Sequence, residues 1–207
     1  MKPESMEYPL ERQQILDQFI NRPLGRNRGD DDLNPGMAPV RDRLVPAAVL
    51  VPIIEREDGL TVLLTKRTDH LNDHAGQVSF PGGRVEPDDD SLIETALRET
   101  EEEIGLDRRH IETIGQLDRY ITRTGFDVTP VVGLVRPPFS LSPDSFEVAE
   151  IFEVPLSFFM ARENHEKRSR EWQGKTRYFY VMPYLEYYIW GATAGMLVNL
   201  VDILSEQ

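Results

Sequence analysis

The chain contains no cysteine. That excludes a disulfide framework, thiolate metal sites and a cysteine nucleophile. Basic residues are scarce beside acidic ones, 23 Lys and Arg against 36 Asp and Glu, which leaves a formal charge of −13. A chain this acidic is a poor partner for nucleic acid or an anionic membrane, and neither is expected. A small polyphosphate can still bind through a local basic patch and a metal. Long apolar runs are also missing. Ala47 to Ile54 is among the longest, far short of the ~18 residues that read as a bilayer span. Met1 is followed by Lys2-Pro3-Glu4-Ser5, without the apolar core of a signal segment. A cytoplasmic protein is therefore the expectation, and 207 residues suffice for one domain with a substantial core.

The most informative stretch runs from Phe80 to Leu106 and reads FPGGRVEPDDDSLIETALRETEEEIGL. It opens on a glycine turn, Pro81-Gly82-Gly83. Ser91 and Glu94 have the spacing of a capping box, so a helix is expected to start there and to stop at Gly105. Ile93, Ala96, Leu97, Thr100 and Ile104 recur at helical spacing and form the expected buried stripe. Glu99, Glu102 and Glu103 stand at i, i+3 and i+4, on one face beside that stripe. Like charges so placed destabilise a helix. A divalent cation with a taste for hard oxygen ligands reverses the sign of that effect. The bland alternative is a solvated acidic face.

The glycine turn, Arg98-Glu99 and the two further glutamates together resemble the signature of the Nudix hydrolases, G-x5-E-x7-R-E-U-x-E-E-x-G-U with U aliphatic. Gly83, Arg98, Glu99, Glu102, Glu103, Gly105 and Leu106 match it. The signature's first Glu is best aligned with Asp90, one residue late, and Thr100 stands at an aliphatic position. Upstream, Leu63-Leu64-Thr65-Lys66-Arg67-Thr68 and His74 through Gly83 resemble the additional motif of the coenzyme A pyrophosphatase branch, L-L-T-x-R-[SA]-x3-R-x3-G-x3-F-P-G-G. Thr68 replaces Ser or Ala there, and Asn72 replaces the second arginine. Gly125 to Pro130 and Ile189 to Ala194 are similar to the same branch. The likeness spans roughly residues 40–204.

The rest of the chain reads as follows. Residues 8–21 have helical periodicity, and Arg22 to Pro39 is a polar loop or linker. Its Asp30-Asp31-Asp32 reads as solvated rather than metal-binding. Leu44 to Glu55 and Leu60 to Thr65 are strands joined by a turn at Glu57-Asp58-Gly59. Gln77 to Phe80, Ile111 to Thr122, Val128 to Val135, Glu147 to Val154 and Tyr178 to Tyr188 are further strands. Leu156 to Ala161 is a short helix, and Ala192 to Leu204 closes the chain as another. These elements predict an α/β fold with a mixed sheet covered on both faces; the Nudix resemblance implies an α/β/α sandwich. The expected division is an N-terminal helix and polar linker over 1–39 and a Nudix hydrolase domain over 40–207.

The resemblance implies hydrolysis of the pyrophosphate bond of coenzyme A or an acyl-CoA, giving 3′,5′-ADP and 4′-phosphopantetheine, with Mg²⁺ or Mn²⁺. Glu99 and Glu103 are the expected main metal ligands, with Glu102 third. Arg98 is expected to hold a glutamate in position. Arg67 suits a phosphate through two parallel hydrogen bonds; an ion pair with an acid on the glutamate helix is its alternative role. Lys66 and Arg67 alternate on a strand, so only one faces the site. Gly82 and Gly83 are expected to offer backbone N–H groups to substrate. His74, Glu147 and Glu150 are candidate general bases, His74 more as a packing residue. Tyr120 is a weak candidate for substrate selection, and Trp190 is expected in the core. Arg41, Arg43 and Arg123 are reserve cationic contacts. The rivals are a Nudix hydrolase of ADP-ribose, NADH or a dinucleoside polyphosphate, and a non-catalytic nucleotide-binding module. Oligomeric state is open, a homodimer being compatible with the sequence.

Overall fold

The longest apolar stretch becomes the centre of the sheet. The structure, a computed structural model, describes residues 11–206 apart from 21, 23, 24, 26, 38, 41, 71–74 and 173. Its helices are α1 Arg12–Phe19, α2 Leu92–Ile104, α3 Leu156–Met160 and α4 Gly191–Ser205. Its strands are β1 Arg28–Gly29, β2 Val45–Arg56, β3 Gly59–Arg67, β4 Val78–Ser79, β5 Gly82–Arg84, β6 Ile111–Gln116, β7 Tyr120–Ile121, β8 Phe126–Val135, β9 Val148–Pro155, β10 Glu166–Trp172, β11 Lys175–Tyr184 and β12 Tyr187–Trp190.

Strand β2 is apolar on both faces because both faces are covered. Ala47, Val49, Val51 and Ile53 join a cluster that includes Ile15 and Phe19 of α1, Phe159 of α3, and Leu197 and Leu200 of α4. The alternate residues point the other way: Ala48 and Leu50 pack with Ala96 of α2, and Ile54 packs with Ile104. On its edges β2 pairs in parallel with β8, from Val45↔Phe126 to Ile54↔Val135, and antiparallel with β3 through the turn that ends at Gly59. The main sheet follows the order β1-β7-β8-β2-β3-β4, with β5 on β2, β6 on β8 and β9 on β3. This is the mixed α/β/α sandwich expected from the sequence.

A second, three-stranded antiparallel sheet, β10-β11-β12, lies beside it. Tyr178 to Tyr188, expected as one strand, is split between β11 and β12 by a turn in which Leu185 has φ 51. Strand β10 was not expected at all. Five of its seven residues are charged and all but Glu166 are exposed, so it carries no hydrophobic period. Ile111 to Thr122 is likewise divided, into β6 and β7. In α2 the buried residues are Thr95, Ala96, Thr100, Glu103 and Ile104, while Ile93 is exposed. The helix is thus turned so that Glu103 lies inward.

The polar N-terminal segment is stitched down where it is described. The helix expected over 8–21 begins at Arg12; residues 8–10 and 21 lie outside the described residues. Strand β1 pairs in parallel with β7, and Asn34 bonds both backbone groups of Tyr178 at 2.8 Å. Asp30 is half-buried and bonded rather than free in a loop: it accepts from the Tyr120 hydroxyl at 2.9 Å and from Arg123 N–H at 2.7 Å. Asp118, buried, accepts from Gly25 N–H at 3.0 Å, Arg22 at 3.2 Å and Asn199 of α4 at 3.2 Å. Breaking a buried charge network by removing one partner is costly, about 3 kcal/mol. Asp118→Ala is therefore expected to lower stability by about that much in urea unfolding. An unchanged midpoint would mean that the segment contributes nothing to the folded state.

Candidate active site

The site begins at the β2–β5 pairing. Gly82 and Gly83 pair with Val49 and Ala48, which turns the glycine turn into a short strand. A side chain at Gly82 would strike backbone, and one at Gly83 would displace the Glu99 carboxylate. A Cβ on Gly82 would come within 2.5 Å of Val49 Cα, and one on Gly83 within 2.5 Å of Glu99 Oε2. Ser91 then caps α2, its hydroxyl accepting from Glu94 N–H at 3.1 Å, and Gly105 ends the helix at φ 67.

Helix α2 carries Glu99 and Glu103 to the wall of a cavity of about 1080 Å³, whose lining also includes Arg67, Gly82, Gly83 and Glu147. Glu103 is only 6% exposed. It accepts from Gly82 N–H at 3.2 Å and lies 3.6 Å from Arg67 Nη1. Burial pushes its carboxyl up to about 8; Gly82 N–H and Arg67 oppose that shift, and Glu147 and Glu99 add to it. Burial also raises the Glu99 carboxyl against the pull of Arg98, with Glu102 and Glu147 adding to the rise. Gly82 N–H, expected to face substrate, is thus given to Glu103.

Arg67 lines the cavity at the end of β3, where the β9 partner bulges: the pairing passes from Lys66↔Glu150 to Arg67↔Val148 and skips Ala149. Lys66 lies on a different depression, as the alternation required. Arg67 also stands 3.6 Å from Glu147, and its Nε is buried with no hydrogen-bond partner among the described residues. Both proposed surroundings of Arg67, cavity and glutamate helix, are therefore present together.

Two expected residues sit elsewhere. Glu102 is 60% exposed and turned to Arg98 at 3.0 Å rather than to the cavity. Glu150 accepts from the Tyr187 hydroxyl and is absent from the lining. Of the two neighbouring aspartates it is Asp89, not Asp90, that meets Arg98. Asp89 accepts from Arg98 Nε at 2.8 Å and Nη2 at 3.0 Å, from Thr95 Oγ1 at 2.8 Å and from Glu86 N–H at 2.8 Å. Arg98 holds its carboxyl well below the usual carboxylate range. Asp90 is exposed. Arg98 also donates to Glu99 at 3.1 Å, so Asp89 anchors the arginine that orients the glutamate. Trp190, expected in the core, is half-buried on the cavity wall. Tyr120 is buried and also lines the cavity, its hydroxyl committed to Asp30. His74, Asn72 and Arg41 lie outside the described residues.

The NUDIX domain family matches residues 44–174. The chain belongs to the Nudix family. As a Nudix hydrolase it is 42% identical over 159 residues to "Uncharacterized Nudix hydrolase NudL" of Yersinia pestis (strain Pestoides F), covering 77% of this chain and 79% of that protein. The same figures hold for the protein of that name from Yersinia pseudotuberculosis serotype O:1b (strain IP 31758). Among solved structures, a C. elegans Ap4A hydrolase binary complex matches with a TM-score of 0.46 and 20% identity, over 55% of this chain and 82% of that one. No helix among the described residues of this Nudix hydrolase is long and apolar enough to cross a membrane.

Among the described residues no three acidic or histidine side chains already close on a point as a finished metal shell. Glu99 and Glu103 nonetheless fit a divalent cation that takes its other ligands from water and substrate. Their carboxyls are raised by burial, and the positive charge that faces Glu103 is Arg67 at 3.6 Å. This has a sign that can be tested. The folded state binds the Glu103 proton more tightly than the unfolded state does, so the stability contributed by that proton is fully present below 4.5 and is lost as pH rises through about 8. The metal-free protein is expected to melt at falling temperature across that window. Mg²⁺ is expected to restore more at pH 8 than at pH 5, and Glu103→Gln to flatten the pH profile. A flat profile in the wild type, read by differential scanning calorimetry in EDTA, would contradict the assignment.

Proposed function

We propose that this Nudix hydrolase cleaves the diphosphate of coenzyme A or an acyl-CoA, releasing 3′,5′-ADP and 4′-phosphopantetheine. The observation that carries the reading is that Arg67, from the LLTKR stretch, shares one cavity with Glu99 and Glu103. At about 1080 Å³ that cavity stands at the upper end of ligand-sized pockets and suits a bulky nucleotide conjugate.

Glu99 and Glu103 would hold Mg²⁺ or Mn²⁺, which neutralises phosphate charge and polarises the bond to be broken. Arg98, anchored on Asp89, keeps the Glu99 carboxylate in place. Glu102 supports that placement through Arg98 rather than from within the cavity. Arg67 offers its guanidinium to a phosphate oxygen: its contacts with Glu103 and Glu147, both 3.6 Å, are ion pairs longer than hydrogen bonds, and its Nε has no partner among the described residues. Glu147 takes a proton from the attacking water. A new P–O bond forms to that water's oxygen, the bridging P–O bond breaks, and the displaced phosphate leaves. Gly83 serves by its lack of a side chain, which lets Glu99 approach the strand.

With Mg²⁺ present, a panel of coenzyme A, ADP-ribose, NADH and diadenosine polyphosphates is expected to show coenzyme A consumed fastest, with the two named products by mass. Arg67→Ala is expected to raise KM about tenfold or more, the equivalent of one charge-assisted hydrogen bond. Much faster turnover of ADP-ribose or NADH would remove the coenzyme A reading and leave the Nudix activity.

A further inference from the structure

Strands β10 and β11 set Arg170 directly opposite Arg177. Like charges in that relation destabilise a sheet. Nothing in the hairpin neutralises them: neither side chain has a carboxylate within ion-pair range among the described residues. Instead both lie over the ring of Trp172, at 5.2 and 5.8 Å from its centroid, and Arg170 is also 5.7 Å from that of Trp190. Those contacts orient the guanidinium groups and offset part of the repulsion. Arg123, at the turn between β7 and β8, adds its charge to the same group. Burial, Arg123 and Arg170 together push the Arg177 pKa down. Arg177 Nε is buried with no hydrogen-bond partner among the described residues. The carboxylate held beside Arg123, that of Asp30, is occupied by the Tyr120 hydroxyl and by Arg123 N–H.

All three arginines line the cavity that holds Glu99 and Glu103. The cavity therefore holds unpaired cations as well as the glutamates. Arg177 also lies beyond residue 174, where the match to the NUDIX domain family ends. Asp30 and Asp32 line the same cavity, but none of the three guanidinium groups is ion-paired to a carboxylate among the described residues; such a group suits an anion of high charge density, and planar forks match a phosphate in pairs.

We propose that Arg123, Arg170 and Arg177 form a phosphomonoester site that takes a second phosphate of the substrate, one outside the diphosphate that is cleaved. A phosphate monoester carries close to two charges at neutral pH and offers three acceptor oxygens, enough for all three arginines. On the coenzyme A reading, on which this last step rests, that group is the 3′-phosphate of the nucleoside. The anion site itself does not depend on that reading.

The test is equilibrium binding by calorimetry of 3′,5′-ADP and 5′-AMP to the metal-free protein at fixed ionic strength, which needs no turnover. The wild type is expected to prefer 3′,5′-ADP by about tenfold or more, since each charge-assisted hydrogen bond is worth about that factor. Arg177→Gln and the exposed Arg170→Gln are each expected to lose most of that preference without a lower melting temperature, because each relieves a repulsion. Arg168→Gln is the control: Arg168 lies on the same strand but is paired with Glu166 at 2.6 Å and is absent from the cavity lining. It is expected to keep the preference. Equal affinity of the wild type for both nucleotides, or full preference retained in Arg177→Gln, would overturn the site. If the preference behaves as expected while coenzyme A is not hydrolysed, the phosphate site stands and the coenzyme A reading falls.

Discussion

Folding carries the Glu103 carboxylate nearly out of water, and the site is organised around that cost. A buried carboxylate must be hydrogen-bonded, matched by charge or protonated. Glu103 has one N–H, from Gly82, and one guanidinium at 3.6 Å, from Arg67. Each depends on backbone laid down elsewhere. Gly82 is in reach because β5 pairs with β2, and Arg67 because β3 ends there against a bulge in β9. Gly82 is required by its close approach to β2, and Gly83 leaves room for the Glu99 carboxylate. The apolar strand at the middle of the fold thus determines where the polar groups of the site meet.

The parts legible in the sequence are those governed by local rules. Ser91 and Gly105 mark the ends of α2 because capping acts within a few residues. The opposite directions of Lys66 and Arg67 follow from strand alternation. Longer-range matters were harder to read. Asp89 outranks Asp90 because Thr95, Glu86 N–H and Arg98 all converge on it, and counting along the chain cannot separate two neighbouring aspartates. Glu102 shares a helical face with Glu99 and Glu103, yet Arg98 holds it on the outside. Glu147 enters through the β3–β9 pairing, some forty residues beyond the helix. Asp30 looked like a solvated loop residue because its partners, Tyr120 and Arg123, are about ninety residues away. Strand β10 was invisible because an exposed, charged strand has no apolar period.

The two sheets divide the cavity between them. The main sheet, its turns and α2 supply the glutamates together with Arg28, Arg67, Arg84 and Arg123, and the second sheet supplies aromatic rings, Arg170 and Arg177. A chain of net charge −13 thereby keeps a local basic wall suited to a polyanion. The Asn34 side chain joins the N-terminal segment to β11, which closes the wall on that side.

The central claim is that Glu99 and Glu103 form one cation site. Titration with Mn²⁺, followed by the electron paramagnetic resonance of the free ion, tests it most directly. The account predicts saturable binding in the wild type and in Glu150→Gln, whose side chain bonds Tyr187 away from the cavity. It predicts loss of that binding in Glu99→Gln and in Glu103→Gln. Wild-type binding in Glu103→Gln would contradict it.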